Sequence, residues 1–271
     1  MCGIVGAVAE RSITPILVEG LKRLEYRGYD SAGVAVFTQS GELQRCRRVG
    51  NVAELPQPLA GTPPNGHLGI AHTRWATHGA PSERNAHPHF SGSDLAVVHN
   101  GIIENHEELR TRLQGLGYVF SSDTDTETIV HLLQHKLAEL GDLAAALKAA
   151  IPELQGAYGL AVISAQQPDR ILAARSGSPL VIGLGMGENF LASDQLALRQ
   201  VTDRFMYLEE GDIAEIRRDS VQIWDANGAS VQREQVQYHE GAEAADKGEY
   251  RHFMLKEIHE QPKVVQRTLE G

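Results

Sequence analysis

Short apolar runs and helical patterns alternate along the first half of the chain. Residues 4–8 are apolar and partly β-branched, which predicts a buried strand close to the N-terminus. Apolar side chains then recur at helical spacing, with Ser12 before them as a candidate N-cap: Ile13, Ile16, Leu17, Leu21 and Leu24. The same criteria predict strands over 33–37, 42–49, 67–72 and 95–98, and helices over 104–115, 126–139 and 142–151.

The second half consists mainly of predicted strands separated by turns such as 225–228. These strands cover 157–164, 170–175, 179–183, 189–193, 205–208, 212–217 and 221–224. With the first half, the count is about ten strands and four or five helices. Because the strands follow one another without intervening helices, antiparallel sheets are favoured over a βαβ fold. Two sheets with helices on their outer faces satisfy this arrangement.

The last thirty residues differ from the rest and suggest a boundary near residue 240. Residues 241–248 are polar, and 251–261 and 263–269 have helical patterns on either side of Pro262. Little chain remains for these helices to pack against. We therefore expect 1–240 to form one domain, with 241–271 as a linker and the start of a further domain that this chain lacks.

Charge and composition narrow the class of protein. The chain has 271 residues, with 25 basic and 35 acidic side chains and a formal net charge of −10. This acidity argues against binding to nucleic acid or to an anionic membrane surface. With 42% hydrophobic and 22% charged residues, the composition is that of an ordinary globular protein. No apolar run is long enough for a membrane span.

Only two cysteines occur, Cys2 and Cys46, so a disulfide framework is not expected. The short apolar stretch after Cys2 has no basic residue ahead of it, unlike a signal peptide. These features predict a protein of the cytoplasm. Cys46 lies among three arginines, which could lower the pKa of its thiol, although a plain strand residue is the simpler interpretation.

Cys2 is a candidate nucleophile because of its position. Removal of a methionine before a small residue would leave Cys2 with a free α-amino group. An α-amine has a pKa of about 7.7–8.0, so it can serve as a general base for the thiol of its own residue. The alternative is a small apolar residue at the end of a strand.

The loop 72–79 concentrates polar and aromatic side chains after a predicted strand. Arg74 offers a planar fork that suits a carboxylate, Thr77 and His78 add donors, and Trp75 is a large side chain that could act as a lid. An earlier loop, 27–33, contains glycines that permit close backbone approach, and it is also consistent with an ordinary helix-to-strand connection.

Asn100-Gly101 combines a side-chain amide with a glycine N–H, two donors that suit an oxyanion. The alternative is a type I′ hairpin turn, for which Asn-Gly is a strong signal. The residues that follow, 102–105, lead towards a predicted helix rather than back along a hairpin, which weakens that alternative.

Residues 123–127 contain acidic side chains but lack the frame of an EF-hand, so a helix cap is favoured over a calcium site. Asp125 could also pair with the ammonium group of a ligand. The glycines at 183–187 open no helix and indicate a hairpin turn rather than a dinucleotide site. With no zinc-type spacing and no phosphate-binding loop, we expect neither a metal nor a cofactor.

Taken together, these motifs resemble the class II glutamine amidotransferases, and among them the glucosamine-6-phosphate synthase family. The resemblance covers essentially the whole chain and rests on 2–6, 24–33, 72–79, 98–105 and 124–127, with support from 174–180 and 256–262. It implies an α+β fold, the four-layer αββα sandwich of the N-terminal-nucleophile (Ntn) hydrolases, with two antiparallel sheets between helix layers.

The resemblance also implies roles for individual residues. Cys2 would attack the side-chain amide of L-glutamine with its own α-amine as the base, while Asn100 and Gly101 hold the oxyanion. The substrate-binding set would be Arg74, Thr77, His78, His87 and Asp125, with Arg74 on the α-carboxylate and Asp125 on the α-ammonium. The loop that gates ammonia would contain Trp75, together with Arg27, Gly28 and Tyr29.

The resemblance further implies a C-terminal isomerase domain that carries the fructose 6-phosphate site, a homodimer when full length, and a place in hexosamine biosynthesis. The amidotransferase domains of amidophosphoribosyltransferase and asparagine synthetase are alternatives. Tyr29 and the residues 75–78 favour the sugar enzyme over both. A glutamine-sensing module without catalytic activity is an alternative from another class, and retention of Met1 would favour it.

Overall fold

The computed structural model describes residues 2–28, 30–55, 66–76, 79–238, 250, 254–256, 258–259, 261–262 and 265. The chain divides into two units, Met1–Tyr238 and His239–Gly271. In the second unit, 254–256, 258–259, 261–262 and 265 are helical, and the rest of the predicted helices 251–261 and 263–269 lies outside the described residues. The assignment of 241–271 to a linker and the start of another domain stays a prediction.

Two antiparallel sheets form the centre of the first unit. The strands are β1 (Gly3–Val8), β2 (Ser31–Thr38), β3 (Leu43–Val49), β4 (Gly66–Arg74), β5 (His89–Ser91), β6 (Leu95–Ile103), β7 (Gly156–Ser164), β8 (Gln167–Ser176), β9 (Val181–Leu184), β10 (Asn189–Ala192), β11 (Arg204–Tyr207), β12 (Ile213–Arg217), β13 (Val221–Trp224), β14 (Ser230–Val231) and β15 (Gln235–Gln237). The order is β15-β11-β9-β10-β1-β4-β2-β3 in one sheet and β14-β13-β12-β8-β7-β6-β5 in the other.

Four helices cover the outer faces: α1 (Thr14–Leu24), α2 (His106–Gly115), α3 (Thr126–Leu140) and α4 (Leu143–Ala150). Helix α1 packs on the eight-stranded sheet through one apolar cluster. Helices α2, α3 and α4 pack on the seven-stranded sheet through a second cluster. A third apolar cluster lies between the two sheets. The fold is therefore the four-layer αββα sandwich of the Ntn type, which confirms the predicted fold class.

The central strands are apolar at nearly every position because both of their faces are buried. In β1, Val5 and Ala7 face the cluster under α1, whereas Ile4 and Val8 face the layer between the sheets. Strands β6 and β7 alternate in the same way between the helix side and the inter-sheet side. Successive side chains of a strand point to opposite faces, so a strand that is buried on both faces needs a continuous apolar run.

The structure corrects several predicted boundaries. Strand β6 does not end at Val98 but continues through Asn100 to Ile103, paired with β7 along its whole length, so Asn100-Gly101 is neither a turn nor a loop. Strands β5, β14 and β15 were not predicted, because two or three residues are too few to show a period. The hairpin turns predicted at 183–187 and 225–228 are confirmed, although 183 and 184 belong to β9 and the first turn covers 185–188.

Ser12 is not the N-cap of α1, contrary to the prediction. Ile13 occupies that position without a side-chain capping bond. The N–H of Ile13 instead donates to the carbonyl of Gly66 at 3.0 Å. Pro15 stands in the first turn, where its missing N–H costs little. Among the described residues, the structure has no helix that is both long and apolar enough to cross a membrane.

Replacement of Phe190 tests the packing between α1 and its sheet. The Phe190 side chain is fully buried in that cluster. We expect Phe190→Ala to lower the free energy of unfolding by about 3–5 kcal/mol, since it removes a large side chain from a close-packed site. Met186→Ala is the control, because Met186 is 95% exposed, and it should change stability by less than about 0.5 kcal/mol. Urea unfolding followed by tryptophan fluorescence measures both, and equal costs would contradict this packing.

Candidate active site

Cys2 lies immediately before β1, beside the carboxyl end of β4, because Gly3 pairs with Thr73 in the antiparallel ladder. The backbone N–H of Trp75 donates to the Cys2 sulfur at 3.2 Å. Burial raises the pKa of the Cys2 thiol, although the Trp75 hydrogen bond and the charge of Arg74 oppose that effect. The thiol is therefore mainly protonated at neutral pH and needs a base to become a nucleophile.

Asn100 reaches Cys2 from the other sheet. It stands near the end of β6 and is buried, and its Nδ2 donates to the carbonyl oxygen of Cys2 at 3.1 Å. Cys2 precedes a strand of the eight-stranded sheet, whereas β6 belongs to the seven-stranded sheet. The bond therefore joins the two sheets at the thiol.

The N–H of Gly101 faces the same open edge of β6 as two neighbouring N–H groups. His99 N–H donates to Nδ1 of His87 at 3.3 Å, and Ile103 N–H donates to Oδ2 of Asp125 at 2.9 Å. Backbone N–H groups of alternate residues point to the same side of a strand. Gly101 lies between His99 and Ile103 in this series, so its N–H is directed to the space between His87 and Asp125.

Position 101 has room only for glycine. Gly101 has φ of +130°, in the region that side chains disfavour, and a Cβ there would stand 1.9 Å from the carbonyl oxygen of Ala157 on β7. The close approach keeps β6 and β7 paired beyond Asn100. The predicted pair of donors at 100 and 101 is thus held in a strand rather than in a turn.

Arg74 is the last residue of β4 and is buried, with only 4% of its surface exposed. Its Nη2 donates to the carbonyl of Gly79 at 3.3 Å. Burial lowers the pKa of Arg74, and the nearby Cys2, Asp125 and Asp30 oppose this shift. Even a lowered pKa leaves a guanidinium charged at neutral pH, so the site contains a buried cation close to the thiol.

Asp125 is both the N-cap of α3 and a contact to the end of β6. Its Oδ1 accepts from the N–H of Thr126 at 3.0 Å, while Oδ2 accepts from the N–H of Ile103. The predicted helix cap is thereby confirmed. Each carboxylate oxygen can accept a further hydrogen bond. Asp125 is buried and is close enough to Arg74 to act on it electrostatically.

His87 lies behind this group of residues. Its ring stacks on that of His72 with centroids 4.0 Å apart, and its Nε2 is 3.4 Å from the hydroxyl of Thr126. Burial lowers the pKa of His87 well below its ordinary value, so the ring is neutral. Its described contacts support β6 and the start of α3.

The loop predicted to act as a gate lies at the edge of the site. Trp75 is 55% exposed, and a Cβ at Gly28, which has φ of +142°, would stand 2.6 Å from its ring. Asp30 holds the two segments together, because its carboxylate accepts from the N–H of Ala76 at 2.6 Å. Tyr29, Thr77, His78 and the side chain of Arg27 lie outside the described residues.

Two polar residues support the loop before α3: Asn85, which the sequence did not single out, and Glu127, which was considered only as part of the acidic segment 123–127. Asn85 accepts from the N–H of Asp123 at 3.0 Å and donates to the carbonyl of Ala80 at 3.0 Å. Glu127 accepts four hydrogen bonds from Ser121 and Ser122. Burial would raise the pKa of Glu127, but these hydrogen bonds, together with that of His131, lower it overall. The polar segment 121–123, Ser-Ser-Asp, a few residues before the start of α3, is the sequence signal that could have indicated these hydrogen bonds.

Cys46 differs from the expectation of a lowered pKa. Burial raises the pKa of its thiol and outweighs the opposite effect of Arg48. Cys46 lies in β3 and packs against the cluster under α1. It is therefore a strand residue, and its strand β3 is separated by β2 and β4 from β1, the strand that directly follows Cys2.

Comparisons with known proteins show which family the chain belongs to. Residues 72–200 match the model of a glutamine amidotransferase domain. The whole chain is 82% identical to the glutamine–fructose-6-phosphate aminotransferase (isomerizing) of Pseudomonas aeruginosa and 59% identical to that of Escherichia coli K12. In both cases it spans 44% of the relative's length.

A solved structure has the same fold. The structure of glutamine phosphoribosylpyrophosphate amidotransferase from B. subtilis, complexed with ADP and GMP, superposes with a TM-score of 0.72 at 25% identity. The match covers 83% of this chain and 49% of that chain. The fold and these comparisons together identify a class II glutamine amidotransferase. Within that class, the chain belongs to the glutamine–fructose-6-phosphate aminotransferase family, of which it represents the glutamine amidotransferase part.

Replacement of Gly101 tests the steric requirement at the end of β6. We expect Gly101→Ala to lower the free energy of unfolding by more than about 3 kcal/mol, because an unfavourable φ and a clash with a backbone carbonyl combine there. Gly92→Ala is the matched control, since Gly92 has φ of +62° but open space around it. Only conformational strain of about 1 kcal/mol should appear in that variant. Urea titration of both variants gives the comparison, and similar values would show that the clash is relieved without cost.

Proposed function

We propose that this chain hydrolyses the side-chain amide of L-glutamine to glutamate and ammonia. The observation that carries the proposal is the convergence of a thiol, two amide donors, a buried cation and a buried anion from different elements. Cys2 directly precedes one strand of the eight-stranded sheet and Arg74 ends another. Asn100 and Gly101 lie in the seven-stranded sheet, and Asp125 lies at the start of α3. The family match supports the choice of glutamine.

Arg74 and Asp125 suit the two charges at the α-carbon of a free amino acid. The guanidinium of Arg74 would bind the α-carboxylate, helped by Thr77 and His78, and the carboxylate of Asp125 would bind the α-ammonium. Holding this end sets the distance to the side-chain amide. Asparagine, which is one methylene shorter, would present its amide too far from the sulfur. His87 would contribute by supporting the end of β6.

The base in this proposal is the α-amine of Cys2, which requires removal of Met1. This amine would take the thiol proton while the sulfur attacks the amide carbon of glutamine. A new S–C bond forms, and the carbonyl electron pair moves to the oxygen. The Nδ2 of Asn100 and the N–H of Gly101 would donate to this oxyanion. A raised thiol pKa fits a mechanism with a base in the same residue.

Collapse of the oxyanion would break the C–N bond. The amine of Cys2, now an ammonium, would return its proton to the leaving nitrogen, which departs as ammonia. The remaining thioester would react with water, which breaks the S–C bond and releases glutamate with the thiol restored. Trp75 and the loop of Arg27, Gly28 and Tyr29 would close over the site and direct ammonia onward.

In the longer protein, we propose that a C-terminal isomerase domain uses this ammonia to convert fructose 6-phosphate to glucosamine 6-phosphate, in hexosamine biosynthesis. The names of the relatives support this, and so does their length, of which the chain spans 44%. Identity of 82% to the Pseudomonas aeruginosa relative favours this acceptor over the phosphoribosylpyrophosphate named for the solved structure, to which the identity is 25%. A homodimer of the full-length protein and a cytoplasmic location are further parts of the proposal.

Replacement of Cys2 tests the nucleophile. In a preparation whose first residue is Cys2, we expect Cys2→Ala to abolish glutaminase activity, to less than about one thousandth, because the thioester cannot form without the Cys2 sulfur. Cys46→Ala is the matched control and should retain the activity, since Cys46 belongs to β3. Glutamate release measures the activity, and urea unfolding verifies the fold. Activity above one thousandth in Cys2→Ala, or full activity with Met1 retained, would exclude this mechanism.

Replacement of Arg74 tests the binding of the α-carboxylate. A charged hydrogen bond is worth about 1.5–3 kcal/mol, so Arg74→Ala should raise the KM for glutamine about 10- to 150-fold. The thiol should still react with iodoacetamide. Arg11→Ala, which removes an exposed arginine paired with Glu188, is the control and should leave KM unchanged. An unchanged KM in Arg74→Ala would remove Arg74 from the binding site.

A further inference from the structure

A fully buried histidine on β4, His72, holds the oxygen end of the Asn100 side chain. Its Nε2 lies 3.1 Å from Oδ1 of Asn100 and 3.0 Å from the carbonyl oxygen of His99. The His72 side chain is 0% exposed. The contact crosses from the eight-stranded to the seven-stranded sheet, as does the bond between Asn100 and Cys2.

The partners settle which atoms donate. The carbonyl of Cys2 can only accept, so the Asn100 atom that faces it must be the amide nitrogen, and Oδ1 must then face His72. The carbonyl of His99 also only accepts. Both contacts of Nε2 are therefore to acceptors, and Nε2 must carry the proton of the neutral ring. Burial lowers the pKa of His72 to about 3, which agrees with a neutral imidazole.

The ring of His72 has little freedom to turn. It stacks on His87 at 4.0 Å with an interplanar angle of 14°, and His87 is held in turn by the N–H of His99. If the Asn100 amide were reversed, its oxygen would face the Cys2 carbonyl and its NH₂ would face the N–H of His72. One contact would then bring two acceptors together and the other would bring two donors together, so neither hydrogen bond could form. The observed orientation is therefore strongly preferred.

We propose that His72 is a positioning residue that fixes the Asn100 amide with its nitrogen towards Cys2. One hydrogen of Nδ2 is used on the Cys2 carbonyl, and the second would be presented to the oxyanion. His72 does not contact the substrate in this proposal and acts through Asn100. The inference rests on the proposed function, because it needs Asn100 to be an oxyanion donor.

Two amide replacements of His72 provide a matched test. The amide nitrogen of a glutamine reaches about as far along the side chain as Nε2, whereas that of an asparagine reaches only as far as Nδ1. We expect His72→Gln to keep kcat for glutamine hydrolysis within about threefold of the parent. His72→Asn should lower kcat at least about tenfold, towards the 100- to 1000-fold loss typical of a missing oxyanion donor. The KM for glutamine should change less than about threefold in both.

Combination with Asn100→Ala separates positioning from a general structural effect. If His72 acts through Asn100, His72→Asn should cost less than about threefold in kcat once Asn100→Ala is present. A merely structural role would reduce kcat by the same factor in both backgrounds. Alkylation of Cys2 by iodoacetamide needs no oxyanion, so its rate should be unchanged in every variant, and it also verifies that the thiol region is intact.

The results distinguish a positioning role of His72 from a structural role, and both from a failure of the proposed function. Equal kcat for His72→Gln and His72→Asn, or additive losses with Asn100→Ala, would overturn the positioning role while leaving the glutaminase function in place. Loss of activity in both His72 variants with loss of Cys2 alkylation would show a structural role and would also overturn the proposal. A parent chain that begins with Cys2 and releases no glutamate would remove the proposed function itself, and this inference with it.

Discussion

The apolar layer between the two sheets is the constraint on which the site depends. Ile4 and Val8 of β1 meet Ala96 and Val98 of β6 within that layer. Its close packing brings the start of β1, the end of β4 and the end of β6 to one place. No short-range pattern could do this, because β1 and β6 are separated by about ninety residues of chain and lie in different sheets. Hydrophobic burial drives the assembly of these layers, and the polar groups of the site are then fixed by their hydrogen bonds.

A second constraint is the satisfaction of polar groups in a buried setting. Asn100, Asp125, His72 and His87 are all buried, and each forms hydrogen bonds with neighbouring backbone or side chains. An unsatisfied buried polar group is costly, so this network keeps the amide and the carboxylate in defined orientations before any ligand is bound. Such preorganisation is what an oxyanion site and an amino-acid site require.

Much of the fold was accessible from the sequence. Continuous apolar runs such as 4–8 predicted buried strands, and helix α3 with its cap at Asp125 was predicted almost to its end. The full length of β6 was not accessible from the sequence, because Asn-Gly is a common turn sequence. The pairing of β6 with β7 overrides this local turn preference. Gly101, which has a positive φ and no Cβ, lets the two strands remain paired. Very short strands such as β5 gave no periodic signal at all.

The site likewise has features that the sequence indicated and features that only the tertiary structure revealed. The candidate charged and nucleophilic groups, namely Cys2, Arg74 and Asp125, were indicated by residue type and position along the chain, since a thiol next to a chain terminus and an arginine in a crowded loop are local features. Only the tertiary structure decided that Asn100 bridges to Cys2 and that His72 and His87 stand behind it. Those contacts span two sheets, and their geometry is set by packing between layers, which no linear pattern records.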